Sequence, residues 1–158
     1  MEKELHLVGF RVGKETFGVP IAMVREIVRV PEITAVPNAA DSVEGVINLR
    51  GKIVPVVDLR KRFGQAVPEP SRRNRILVVE LAGQIVGLIV NSASEVLKIP
   101  PAQVEVPRNL FSDGELNYIS GVGKLDGRLI MILDITKVLQ RHDLRSAGEA
   151  VELAAVEA

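Results

Sequence analysis

Apolar residues recur along the chain in short runs, some continuous and some alternating with polar ones, and turn-forming residues punctuate them. That rhythm predicts β-strands rather than amphipathic helices. Leu5 to Val12 and Thr16 to Val19 read as a hairpin through Gly13-Lys14-Glu15, after a frayed tail at residues 1–4. Pro20 to Met23 fits a single helical turn, since proline is tolerated at a helix start. Val24 to Val30 is the next strand. Its parity places Val24, Val28 and Val30 on one face, Arg25 and Arg29 on the other, and Glu26 on the apolar side. Residues 31–44 form a loop region containing Pro31 and Pro37.

The stretch from Gly45 to Leu59 organises the rest. Val46–Leu49 and Ile53–Val57 are strands joined at Arg50-Gly51, where glycine permits the reversal. Asp58 is a good helix N-cap, Leu59 to Phe63 has room for a turn or two of helix, and Gly64 ends it. The same layout returns from Gly121 to Ile135. Gly45 matches Gly121, Leu49 matches Leu125, Gly51 matches Gly127 and Asp58 matches Asp134, at a constant offset of 76. The second copy turns on Asp126-Gly127, a favoured hairpin pair, whereas the first has Arg50 in place of the aspartate. Arginine is not a preferred turn former, so something other than the turn selects it.

Residues 65–74 are polar, carry two prolines and read as a linker. Beyond it Arg75 to Leu81 and Gln84 to Val90 are strands around Ala82-Gly83, and Glu95 to Ile99 is another that ends at Pro100-Pro101. Glu26-Ile27-Val28-Arg29-Val30-Pro31 corresponds to Glu95-Val96-Leu97-Lys98-Ile99-Pro100, an offset of 69, and Pro37 corresponds to Pro107 at an offset of 70. The chain is therefore an internal duplication of two β units. The expected boundaries are a first small barrel at 5–64, the linker at 65–74, a second barrel at 75–140 and a tail at 141–158 that forms a weak helix or stays loose. A unit of this size buries only about 60% of its unfolded surface, so the two should pack on each other and leave a groove between them.

Composition sharpens this. Apolar residues make up 47% of the chain but aromatics only 3%, so Val, Ile and Leu must fill the core. Net charge is zero, with 20 basic and 20 acidic residues, which argues against nucleic acid or an anionic membrane as partner. There is no cysteine, and no run approaches the ~18 apolar residues of a membrane span. The start has no apolar signal core, so the cytoplasm is the expected location and no membrane insertion is expected.

Catalytic signatures fail one by one. Gly9-x-x-x-Gly13-Lys14-Glu15 is a residue short of a phosphate loop, and Glu15 stands where a magnesium-binding hydroxyl belongs. Gly121-x-Gly123-x-x-x-Gly127 spans two strands and opens no helix, unlike a dinucleotide fingerprint. His6 and His142 are the only histidines, and His142-Asp143 has no second motif to complete a metal site. Asp58 and Asp134 read better as helix caps than as a catalytic pair. Arg60-Lys61-Arg62 and Arg72-Arg73-Arg75 are short, lack interleaved aromatics and read as solvated faces. No catalytic residue, metal or cofactor is expected, and the competing class, an enzyme or small-ligand-binding β protein, has no motif behind it.

The segment Gly45-Val46-Ile47-Asn48-Leu49-Arg50-Gly51-x-Ile53-Val54-Pro55-Val56-Val57-Asp58-Leu59-Arg60 resembles the hallmark of the CheW family of bacterial chemotaxis coupling proteins. Phe17-Gly18-Val19-Pro20-Ile21, Val24-x-Glu26-Ile27 and Tyr118-Ile119-Ser120-Gly121-Val122-Gly123 support it, and the likeness runs from about Leu5 to Leu139. The resemblance implies an all-β fold of two SH3-like five-stranded barrels. It implies a non-catalytic adaptor that couples the cytoplasmic helical tips of chemoreceptors to the regulatory domain of a CheA-type histidine kinase, in arrays at the membrane. An adaptor of another chemosensory pathway, for surface motility or second-messenger output, shares this pattern. A receiver domain of the CheV type is not expected in a chain of this length. Carried over by position, the resemblance points to Arg50 as a functional arginine and to Glu26 and Val24 as receptor or kinase contacts. Ile21 and Val28 are expected to line an apolar groove for a receptor helix. A kinase-facing patch is expected around Gly45, Asn48 and Gly51, whose glycines also have a purely conformational reading. Glu26 has a counterpart in Glu95, so pairing with an arginine in both units is the structural alternative.

Overall fold

Three chain reversals share one backbone geometry. Arg50-Gly51, Ala82-Gly83 and Asp126-Gly127 carry positive φ at both turn residues: 53° and 84°, 50° and 78°, 50° and 78°. Two-residue turns of this sign match the right-handed twist of the strands they join. The computed structural model describes residues 4–106, 118–139 and 141–157. Its strands are β1 (Leu5–Val12), β2 (Glu15–Pro20), β3 (Val24–Arg29), β4 (Gly45–Leu49), β5 (Lys52–Asp58), β6 (Arg75–Leu81), β7 (Gln84–Val90), β8 (Ser92–Ile99), β9 (Val104–Glu105), β10 (Ile119–Leu125) and β11 (Arg128–Leu133). Helices are short at α1 (Leu59–Arg62) and α2 (Ile135–Val138) and longer at α3 (Arg141–Glu157). Pro107, the expected counterpart of Pro37, and the side chains of His142 and Asp143 lie outside what is described.

The strands make two curled sheets in the manner of SH3-like barrels, ordered β3-β6-β7-β5-β4 and β8-β1-β2-β11-β10-β9. The repeat maps one onto the other strand for strand, with β9 as an addition at the edge. But each sheet takes its central hairpin from the other half: β1–β2 sits among second-half strands and β6–β7 among first-half strands. The barrels are therefore not assembled from the contiguous segments 5–64 and 75–140. Connection length explains why. In a contiguous barrel β8 would lie beside β6 and run parallel to β7, a return that needs a dozen or more residues. Only Asn91 separates β7 from β8, and only the 3-10 turn Ile21–Met23 separates β2 from β3. The chain therefore runs straight on into the other sheet.

The exchanged hairpins are buried on both faces, which is why β6 and β7 read as nearly continuous apolar runs. One face of each fills its own barrel: Ile76, Val78 and Ile89 with Ile47, Val54 and Val56 in one, Leu7 with Leu97, Ile99, Ile130 and Ile132 in the other. The opposite faces meet in a third, shared core. Val8, Phe10, Val12, Phe17 and Val19 pack there against Leu77, Val79, Leu81, Val86, Leu88 and Val90. Phe10, Phe17, Phe63 and Tyr118 form a ladder of rings with centroids 6.0, 5.2 and 5.0 Å apart.

Helix α3 settles the two expectations for the tail in favour of a packed helix. It lies on β5, β4 and β7, with Ser146, Ala147 and Ala150 buried beneath it. These side chains are small, so the helix approaches the sheet closely. Among the described residues no helix is long and apolar enough to cross a membrane.

Asp58 and Asp134 both cap helices. Asp58 accepts the backbone N–H of Arg60 at 2.9 Å and Asp134 that of Thr136 at 3.0 Å. The two sites differ two residues past the cap. Arg60 is not on a solvated face: its side chain is 6% exposed and folds back on Asp58, itself 4% exposed. Nε donates to Oδ1 at 3.0 Å and Nη2 to Oδ2 at 2.9 Å. The Asp-x-Arg spacing allows this fork because capping already points the carboxylate back over the first turn. Asp58→Ala is expected to cost about 3–5 kcal/mol in urea unfolding, since it strands a buried guanidinium. Asp134→Ala, losing the cap and the bond from the Thr136 hydroxyl but stranding no buried charge, is expected to cost about 1 kcal/mol.

Candidate functional site

The β4–β5 turn has register Leu49 opposite Lys52, leaving Arg50 and Gly51 at the tip. Asn48 Oδ1 accepts the Gly51 N–H at 2.8 Å and fixes the turn. A Cβ on Gly51 would meet nothing within 4 Å, so this glycine serves the backbone alone. Gly45 is different: a Cβ there would come within 2.4 Å of the Thr34 carbonyl oxygen. Its absence lets the loop strand pair Thr34 with Val46. Arg50 holds a left-handed conformation that disfavours any residue with a Cβ, most of all one without a short polar side chain to bond locally.

The Arg50 guanidinium reaches back to Glu26 on β3. Nη1 donates to Oε1 at 3.0 Å, and Nη2 pairs with Oε2 in the same fork. Arg50 is 71% exposed and Glu26 28%. The fork holds the Glu26 carboxyl below the usual carboxylate range, chiefly through the hydrogen bonds from Arg50. Partial desolvation opposes this, and the charges of Arg50 and Arg25 add to it. Arg50 is raised in turn, first by the same hydrogen bonds.

β3 and β4 are the two edges of their sheet. The Glu26–Arg50 pair therefore joins one edge strand to the turn beside the other. The second half repeats the device: Glu95 on edge strand β8 pairs with Arg128 at 3.2 Å. Arg128, however, sits at the start of β11 with ordinary φ, and the repeat places Lys52 at its position in the first half. A cation was thus available at Lys52 without a left-handed turn residue. The first half uses Arg50 instead, and projects it further into solvent.

The other candidates are divided. Along β3, Val24, Glu26 and Val28 are half-buried while Arg25, Ile27 and Arg29 are exposed. Val24 packs against the shared core and Val28 against the first barrel's interior. Neither stands free in a groove. Ile21, in the 3-10 turn, is 42% exposed. Ile27, not singled out from the sequence, is exposed nearby, with Val96 at its repeat position exposed as well. An apolar residue at an outward parity was the available signal. Asn48 is exposed and Gly45 buried. Among the described residues no group of His, Asp and Glu is placed to hold a metal ion.

Because the folded Glu26 value is depressed, the pair's contribution is present above the unfolded glutamate value and is lost as pH falls through the folded one. The pair is thus intact at neutral pH and opens only below the ordinary glutamate range. A carbon-detected NMR titration should place the Glu26 midpoint below that of free glutamate, and Arg50→Ala should return it upward. An unchanged midpoint in the variant would show that the fork is not formed in solution.

Three comparisons bear on this geometry. The family model described as CheW-like domain matches residues 6–143. A protein named chemotaxis protein CheW from Rhizobium meliloti is 35% identical over 89% of this chain and 91% of its own length. One of the same name from Helicobacter pylori is 34% identical over 89% of this chain and 84% of its own. The crystal structure of scaffolding protein TtCheW from Thermoanaerobacter tengcongensis superposes with a TM-score of 0.77 at 34% identity, covering 90% of this chain and 92% of that one. With two exchanged barrels, a shared core and a match across nearly the whole length, the chain belongs to the CheW-like family.

Proposed function

We propose that this chain is a non-catalytic chemotaxis adaptor in the cytoplasm. It couples the helical tips of chemoreceptors to the regulatory domain of a CheA-type histidine kinase in membrane-associated arrays. Family membership supports the chemotaxis role, and the curated relatives carry that name. The single observation behind the choice of site is Arg50: a guanidinium retained at a left-handed turn, aligned by Glu26 and largely exposed.

The chemistry comes from the fork. Glu26 engages one edge of the guanidinium and fixes its plane, while the remaining N–H donors face solvent. A partner carboxylate or backbone carbonyl meeting them finds a donor already oriented, so little side-chain entropy is lost on binding. Ile21 offers an exposed apolar contact beside β3, and Val24 and Val28 flank Glu26 on the same face of the strand, half-buried. A receptor helix would place apolar residues against this surface, with charge at the rim setting register. Asn48, Gly45 and Gly51 shape the hairpin that presents Arg50. Repeated weak contacts in an array add avidity.

The test is a pull-down with a CheA-type regulatory domain and, separately, a chemoreceptor cytoplasmic fragment. Arg50→Ala should weaken capture of at least one partner by about tenfold or more, with the melting temperature essentially unchanged. Full binding by the variant would remove Arg50 from the interface.

A further inference from the structure

Two sets of arginines in this chain contrast. Arg25, Arg50, Arg60 and Arg128 each pair with a carboxylate, at Glu80, Glu26, Asp58 and Glu95. Arg29, Arg72 and Arg75 pair with none among the described residues. They are nevertheless gathered together. Arg29 on β3 lies directly opposite Arg75 on β6, and like charges opposed across an antiparallel pair disfavour the sheet. Arg75 donates from Nη1 to the carbonyls of Arg72 and Asn74, at 2.7 and 2.8 Å. That anchors its guanidinium to the turn before β6. The turn is itself fixed by buried Asn74, whose Oδ1 accepts the Ser71 N–H at 3.0 Å and whose Nδ2 donates to the Asn91 carbonyl at 3.1 Å. Between Arg29 and Arg72 an open groove of about 430 Å³ runs over Val30, Ser71 and Asn74.

We propose that this groove is a docking site for an acidic, extended segment of a partner polypeptide. It is separate from the Glu26–Arg50 surface, since Arg29 has the opposite parity to Glu26 along β3. It also stands independently of the adaptor reading. Three observations choose the occupant. Arg29 and Arg72, which line the groove, have no carboxylate partner among the described residues, and Arg75 beside them is anchored to the turn, so an approaching carboxylate meets unneutralised donors. The β3–β6 ladder ends at Arg29 and Arg75, so the groove walls, Val30 on one side and Ser71 and Asn74 on the other, are not joined by strand pairing and an extended peptide can lie between them. Val30 supplies an apolar wall for a side chain between the charges. A phosphate-rich surface or a nucleic acid fits less well: the chain has zero net charge, and no aromatic lines the groove for base stacking.

The test uses the full chain and a short fluorescein-labelled peptide of alternating glutamate and valine, read by fluorescence anisotropy. A glutamine–valine peptide of the same length and vesicles containing phosphatidylserine serve as alternative ligands. The wild-type chain should bind the glutamate peptide more tightly than the glutamine one, with affinity falling as salt rises. The double variant Arg29→Ser, Arg72→Ser should bind it about tenfold or more weakly, while Arg11→Ser, an exposed arginine elsewhere, should bind as the wild type does. Arg29→Ser alone should keep or raise the melting temperature, because it removes a repulsion. Equal binding of the two peptides would overturn the proposal, as would equal loss in the Arg11→Ser variant. Vesicle binding that the double variant abolishes, without peptide binding, would replace it with a lipid surface. A lowered melting temperature in Arg29→Ser would show that the arginine is held for the fold.

Discussion

Two short connections govern this molecule. Three residues between β2 and β3, and one between β7 and β8, cannot turn a hairpin back alongside its own half. Each hairpin therefore enters the other sheet, and its outward face has to be covered. Covering both faces of both hairpins produces the shared core, in which Leu88, Val90, Val12 and Val19 are fully buried. Neither barrel can lose its partner without exposing a face of a strand from the other half. The two repeats are for this reason one body, although each repeat alone has the length of a very small domain. The Arg62 guanidinium donating to the Val138 carbonyl, and α3 from the chain's end lying on β4 and β5, add further ties in the same direction.

A rigid scaffold sets the terms for the surface. In both barrels an acidic residue on an edge strand is joined to a cation at or beside the repeated hairpin turn: Glu26 on β3 to Arg50 at the β4–β5 turn, and Glu95 on β8 to Arg128 at the start of β11. The repetition makes barrel closure the common role of the pairs. The two pairs differ in how the cation is presented. The second half closes from a regular strand position, whereas the first closes from the tip of a turn, with a strained backbone and a more exposed guanidinium. The Asp58–Arg60 fork, later in the same half, shows the same chemistry in a buried, structural setting.

Much of the fold was legible because strand periodicity and turn chemistry agree in this chain. Ala82-Gly83, Arg50-Gly51 and Asp126-Gly127 mark reversals, and Asp58 and Asp134 mark helix starts. The exchange of hairpins was harder to read: the sequence pattern starts the strand after Val90 only at Glu95, whereas the structure starts it at Ser92 and leaves Asn91 alone between the two, too short a link for the contiguous alternative. Arg60 misled because basic runs are usually solvated; only the capping geometry of Asp58 turns that side chain inward. At the site, the motif brought Arg50 and Glu26 into view, and the structure joins them. It could not reveal that Val24 and Val28 are half-buried against two different cores, because parity names a face without saying what covers it. Ile27 had its outward parity as a signal, whereas the meeting of Arg29 and Arg72 depends on β3 pairing with β6, a property of topology that no local pattern carries.

The most direct test of this account is whether one copy of the chain holds both partners at once. Sedimentation velocity on the chain mixed with a CheA-type regulatory domain and a chemoreceptor cytoplasmic fragment measures this without labels. A rigid adaptor coupling the two predicts a species that contains all three, larger than either binary complex. If adding the second partner instead displaces the first, the chain has one shared binding surface, and the coupling role is contradicted.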